Sequence, residues 1–177
     1  MSGTFPTKLG MSSSHKIKRV PMSLSKYLHA HIAYKPFHKC DQFNFNYQSV
    51  IGKLNYLAQT SRPDIIFAVH QLARFSADPR EDHGVAMMYL GMYLNHTKLI
   101  GIKFKIQPDK GFECYADADF AGAFSKEHSD EDPVVAKSRS GWYIFYAGCP
   151  VAWASKLQTM VALSTTEAEY IALSNAL

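Results

Sequence analysis

Apolar positions follow one period in the first half of the chain and another in the second. In NYQSVIGKLNYLAQT, Val50, Leu54 and Leu57 recur at helical spacing with Ile51 and Ala58 beside them. SRPDIIFAVHQLARFS places Ile65, Ala68, Val69 and Leu72 on one helical face. It offers Ser61 as a cap, Pro63 early in the helix and Asp64 in the first turn, where the helix dipole favours an anion. DPREDHGVAMMYLGMYLNHT repeats that style, with Asp78 as cap and Pro79 at the first position. Its Met88, Tyr89, Met92 and Tyr93 read as core, and His70 and His83 as isolated, satisfied histidines. From residue 100 the period drops to two. IGIKFKI alternates as a strand ended by Pro108, and FECYADADF reads as a second strand. SGWYIFYAG and PVAWASK, separated at GCP, form a predicted hairpin, and TMVAL is a further short strand. STTEAEYIALSNAL closes as an amphipathic helix, and residues 121–138 are a polar loop. Strands followed by a helix over residues 100–177 predict an α+β or α/β element.

Residues 1–45 keep neither period. Lys8, Lys16, Lys18, Arg19, Lys26, Lys35 and Lys39 fall within residues 1–40, which hold no Asp or Glu. The remainder carries 12 basic against 15 acidic residues, so the net charge of +4 conceals a basic arm on a mildly acidic body. Such an arm suits a polyanion, with Lys16, Lys18 and Arg19 as candidate nucleic-acid contacts; a solvated terminal arm reads equally well. The chain thus divides into an arm (1–45), a helical segment (46–99) and a strand-rich segment (100–177).

The three cysteines, Cys40, Cys114 and Cys149, lie far apart without metal-site spacing, which points to a reducing compartment. His29, His31, His38 and Cys40 fit no common zinc pattern. Apolar runs break well short of the roughly 18 residues of a membrane span, and the first ten residues lack the apolar core of a signal peptide. No membrane association is expected.

Candidate chemistry lies in carboxylates. A strand alternates its faces, so Tyr115, Asp117 and Asp119 share one side. Two acids about 6–7 Å apart along the strand repel, which favours a hard cation such as Mg²⁺ or Mn²⁺ beside them; taken alone, the pair reads more simply as two solvated acids at an exposed strand end. In the closing helix, Ser164 and Glu167 have capping-box spacing, with Glu167 reaching back to the Ser164 N–H. Glu169 has no such duty. It lies beside the stripe of Ala168, Ile171 and Ala172, which places it near the packed side and makes it the stronger candidate for chemistry.

YADADFAG followed by SRSGWYIFYAGCPVAWASKLQTMVALSTTEAEYIALS closely resembles the ribonuclease H domain of copia-type LTR-retrotransposon Pol polyproteins. The shared motifs are Tyr-x-Asp-Ala-Asp-aromatic-Ala-Gly, Ser-x-Ser-Gly, Trp-x-Ser-Lys and Ser-x-Thr-Glu-Ala-Glu-Tyr. VIGKLNYLAQTSRPDIIFAVHQLARF and DPREDHGVAMMYLGMYLNHT resemble the helical tail of the reverse transcriptase in the same polyproteins. The resemblance covers roughly residues 46–177 and implies a truncated ribonuclease H-like fold, a mixed sheet with one packed helix, of the kind that cleaves RNA in an RNA–DNA hybrid with two Mg²⁺ ions. By position, Asp117 and Glu169 become catalytic metal ligands and Asp119 a secondary ligand.

The family continues beyond this helix to a strand with an Asp-Asn pair and a further acid. Its polymerase motif Tyr-x-Asp-Asp is absent here. Two ligands of four hold Mg²⁺ poorly, so this chain alone is expected to be a catalytically incomplete piece of an RNA-directed DNA polymerase/ribonuclease H. A non-catalytic nucleic-acid-binding module and a piece that folds only within a longer polyprotein are the other readings. The expected partners are RNA–DNA hybrid and the rest of the Pol polyprotein. The expected location is intracellular, in cytoplasmic virus-like particles or the nucleus.

Overall fold

The computed structural model describes residues 20–22, 44–124 and 133–177. Helix α1 (Tyr47–Thr60) starts where the Asn46 side chain accepts the Ser49 N–H at 2.9 Å. Its buried stripe is Tyr47, Ile51, Leu54 and Ala58, with Val50 and Leu57 packed at the margins. Ser61, expected to cap the next helix, instead closes α1, its N–H bonded to Leu57 O at 3.1 Å.

A single 3₁₀ turn (Pro63–Ile65) leads into α2 (Ile66–Ala73). Pro63 and Asp64 occupy a first turn as expected, in 3₁₀ rather than α-helical form, and Arg62 grips Asp64 with Nε at 2.9 Å and Nη2 at 2.7 Å. The predicted face of Ile65, Ala68, Val69 and Leu72 is fully buried. Helix α3 (Glu81–His96) begins two residues later than Pro79 would have it. Asp78 pairs with Arg80 at 3.2 Å rather than capping, and His83 Nδ1 accepts the Arg80 N–H at 3.0 Å. The His83 ring stacks on Phe75 at 3.9 Å, the satisfied histidine that the sequence predicts. Met87, Leu90 and Tyr93 join the buried residues of α1 and α2 in one core, against which Met22, Phe45 and Trp153 also pack.

The sheet is a three-stranded meander, β1 (Phe112–Asp119), β2 (Arg139–Tyr146) and β3 (Cys149–Leu157), in the order β1-β2-β3. It is antiparallel throughout rather than mixed. With the four α-helices of the described residues this makes an α+β fold. The hairpin turns at Ala147 (φ 48°) and Gly148 (φ 73°), the pair of left-handed residues that a twisted two-residue turn requires. One β3 residue, Val151, is bulged out between the Ile144–Ala152 and Phe145–Pro150 pairs, beside a proline that has no N–H to donate.

Two predicted strands do not form. Residues 100–106 alternate but pair with no strand among the described residues; the chain turns at 107–110, where Gln107 N–H donates to Ala147 O at 2.8 Å. Residues 159–163 are likewise irregular. Alternation specifies which side of a segment is apolar, not whether a neighbouring backbone lies within reach.

Helix α4 (Thr165–Ala176) packs across β1 and β2. Gln158 ties it down: its N–H donates to Ser138 O at 2.9 Å, and its Nε2 donates to Ser140 Oγ at 3.0 Å and Ala168 O at 2.8 Å. Ser140 and its partner Ala118 therefore face α4. The opposite face of the sheet, with Arg139, Ser155 and Trp153, meets α1 and α2. There Trp153 Nε1 donates to Ala58 O at 2.7 Å, and Arg139 lies over the Phe67 ring at 5.1 Å.

Candidate functional site

Asp117 pairs with Gly141 and Asp119 with Arg139 across β1 and β2. Because Ala116 and Ala118 have the α4 parity, Asp117 and Asp119 project from the other face. Gly141 sets no side chain opposite Asp117, and both acids are exposed. Among the described residues neither makes an ion pair. Asp119 has a second neighbour: a Cβ on Gly122 would collide with its carboxylate, so the glycine of the Asp-Phe-Ala-Gly stretch keeps that carboxylate close to the backbone. The turn is held by Ser138, fully buried, whose Oγ accepts the N–H of Ala121 (φ 46°) at 3.3 Å.

Helix α4 starts as its sequence predicts. Ser164 Oγ accepts the Glu167 N–H at 3.1 Å. The return bond differs: Glu167 Oε2 accepts the N–H of Leu163 at 2.7 Å, one residue before the expected Ser164. Ala168 and Ala172 are the buried positions, and Ile171 is half-buried. Glu169 is exposed, contrary to its expected place near the packed side. The helix seats on two alanines over β1 and β2, and β1 is the sheet edge, with no strand on its flank among the described residues.

Asp117 and Glu169 thus belong to packed neighbours but approach from opposite faces of the sheet. Among the described residues there is no group of three or more His, Cys, Asp or Glu that could hold a metal. Asp117, Asp119 and Glu169 do not by themselves fit a two-metal centre. Lys16, Lys18, Arg19 and the His29–Cys40 segment lie outside the described residues.

The sequence reading missed the polar network that joins α3 to the 3₁₀ turn. Arg62 Nη2 also reaches Thr97 Oγ1 at 2.7 Å, and Tyr93 OH donates to Asp64 at 2.8 Å. Burial alone would raise the Asp64 pKa, but the bonds from Arg62 and Tyr93 outweigh it and hold the carboxyl below its usual range. Burial, with the Asp64 charge nearby, raises Tyr143. His70, read as isolated, joins the layers: Nδ1 meets the carbonyl of Ser155. Burial lowers its pKa against that bond, and Arg139 and Lys156 lower it further. The spacing of Arg62 and Asp64 was the available signal for the first network; the second had none.

The chain is 38% identical over 133 residues to the secreted RxLR effector protein 161 of Plasmopara viticola, covering 75% of this chain and 87% of that one. It is 38% identical over 129 residues to the retrovirus-related Pol polyprotein from transposon RE1 of Arabidopsis thaliana. The Pol polyprotein from transposon TNT 1-94 of Nicotiana tabacum is 38% identical over 126 residues. The chain belongs to the retrotransposon Pol polyprotein family. Its match spans 8% of the RE1 polyprotein and 9% of the TNT 1-94 polyprotein. No family model matches this Pol segment, and no solved structure is similar to it.

Proposed function

We propose that this Pol segment joins the helical tail of a reverse transcriptase to the opening strands and first helix of a ribonuclease H-like domain. The observation that carries the reading is α4 packed across β1 and β2, so that the helix bearing Glu169 lies on the strand bearing Asp117. Ser138, Ser140, Trp153, Ser155 and Ser164, the polar positions of the resembling motifs, each hold one of these elements in place. In a complete domain, Asp117 and Glu169, which flank the β1 edge from opposite faces of the sheet, would contribute to a Mg²⁺ or Mn²⁺ site at that edge that hydrolyses RNA in an RNA–DNA hybrid, with further acids from the rest of the polyprotein. Residues 1–177 alone do not cleave.

The test is a hybrid-cleavage assay with Mg²⁺ or Mn²⁺, run on residues 1–177 and on a polypeptide extended into the downstream Pol sequence. The extended form is expected to cleave and to lose activity in Asp117→Asn and Glu169→Gln. Robust cleavage by residues 1–177, abolished by the same substitutions, would overturn the incompleteness. Cleavage by the extended form that is indifferent to both substitutions would remove these residues from the site.

A second reading draws on the effector relative, which is matched over 87% of its own length. A stretch of this extent occurs there as nearly a whole protein. On that reading the segment is a non-catalytic binding module for nucleic acid.

A further inference from the structure

The segment between α3 and β1 carries an amphipathic strand pattern that pairs with no sheet among the described residues. Ile100, Phe104 and Ile106 are 66%, 65% and 72% exposed, although their alternation is that of a half-buried strand. Between them stand Lys103 and Lys105, with Lys98 just before, all exposed and without an ion pair among the described residues. Lys110 is paired with Glu113 at 3.4 Å. Residues 98–110 hold four lysines and one acid, Asp109, in a body that is otherwise mildly acidic beyond residue 40.

We propose that residues 98–106 are a single-strand nucleic-acid contact, in which Lys98, Lys103 and Lys105 meet phosphates and Phe104 stacks on a base. Interleaved cations and an aromatic ring are what an unpaired strand presents a use for, since its charges and its π-faces alternate at short range. A membrane-surface segment lays the apolar face of a helix on lipid, and this segment is not helical. The proposal rests on the nucleic-acid reading above but not on catalysis, and it places the contact outside the basic arm.

The experiment is fluorescence anisotropy of a labelled single-stranded oligonucleotide with the full chain across a salt series, with thermal melts confirming that each variant folds. Lys103→Ala/Lys105→Ala is expected to lower the slope of log affinity against log salt by roughly 1.4, two contacts' worth on a single strand. Phe104→Ala is expected to weaken binding roughly tenfold at unchanged slope. An unchanged slope in the lysine variant, with the loss appearing only in Lys16→Ala/Lys18→Ala/Arg19→Ala, would overturn the proposal. So would binding through these lysines to phosphatidylserine vesicles but not to the oligonucleotide. Absence of RNA cleavage leaves this measurement intact and bears only on the catalytic reading.

Discussion

The indole N–H of Trp153 in β3 donates to the carbonyl of Ala58 in α1 at 2.7 Å, joining residues 95 apart in the chain. Ala58 lies in the last turn of its helix, where backbone carbonyls lack intrahelical donors. One bond therefore caps α1 and anchors the sheet to the helical core, so the strand-rich segment and the helical segment share this joint.

Trp153→Phe keeps an aromatic ring but leaves that carbonyl without its donor. It is expected to cost about 1–2 kcal/mol, lowering Tm by roughly 2–8 °C. Thermal unfolding followed by circular dichroism measures it; an unchanged Tm would show that the bond contributes nothing to the joint.

Protonating His70 adds a cation beside Arg139 and Lys156 at the same interface. Its folded-state pKa is lowered below the ordinary 6.5, so the native chain binds fewer protons than the unfolded one. Stability from this group is present above pH 6.5 and falls as the pH drops through that value toward the lowered pKa. Urea melts at stepped pH should show this loss in the parent chain and a flatter profile in His70→Gln.

Asp64 behaves in the same sense at lower pH. Its carboxyl is held below the ordinary 3.8, so its contribution is complete above that pH and disappears as acid approaches the lowered pKa. Asp64→Asn should remove this part of the acid transition and destabilise the chain at neutral pH. Arg62→Ala, which strips the partner of a half-buried acid and vacates the contact to Thr97, is expected to cost about 2–4 kcal/mol. Equal acid profiles for parent and Asp64→Asn would refute the assignment.

The hairpin turn gives a pair of opposite signs. Ala147 holds φ 48° despite its Cβ, so Ala147→Gly should stabilise by about 0.5–1 kcal/mol. Gly148→Ala forces a side chain into φ 73° with the Gln107 side chain 3.1 Å away, and should destabilise by about 1–2 kcal/mol. Denaturant midpoints of the two variants read both; shifts of the same sign would contradict the turn geometry.

Local chemistry was legible where a residue acts on its immediate neighbours. The helical faces of α1 and α2, the strand β1, the hairpin and the Ser164 cap all follow from spacing within one element. Helix starts were less so: Ser61 and Asp78 have the right side chains for caps, but the chain found other partners for them. For the acids, the sequence settled that Asp117 and Asp119 share a face of β1. Only the tertiary structure decided that α4 lies on the other face, that β1 is the sheet edge, and that Glu169 is therefore exposed. The same limit explains residues 100–106, whose pattern is complete and whose pairing is absent. Periodicity encodes which side of an element avoids water; which element comes to cover it depends on contacts between residues far apart in the chain, and no local pattern carries that information.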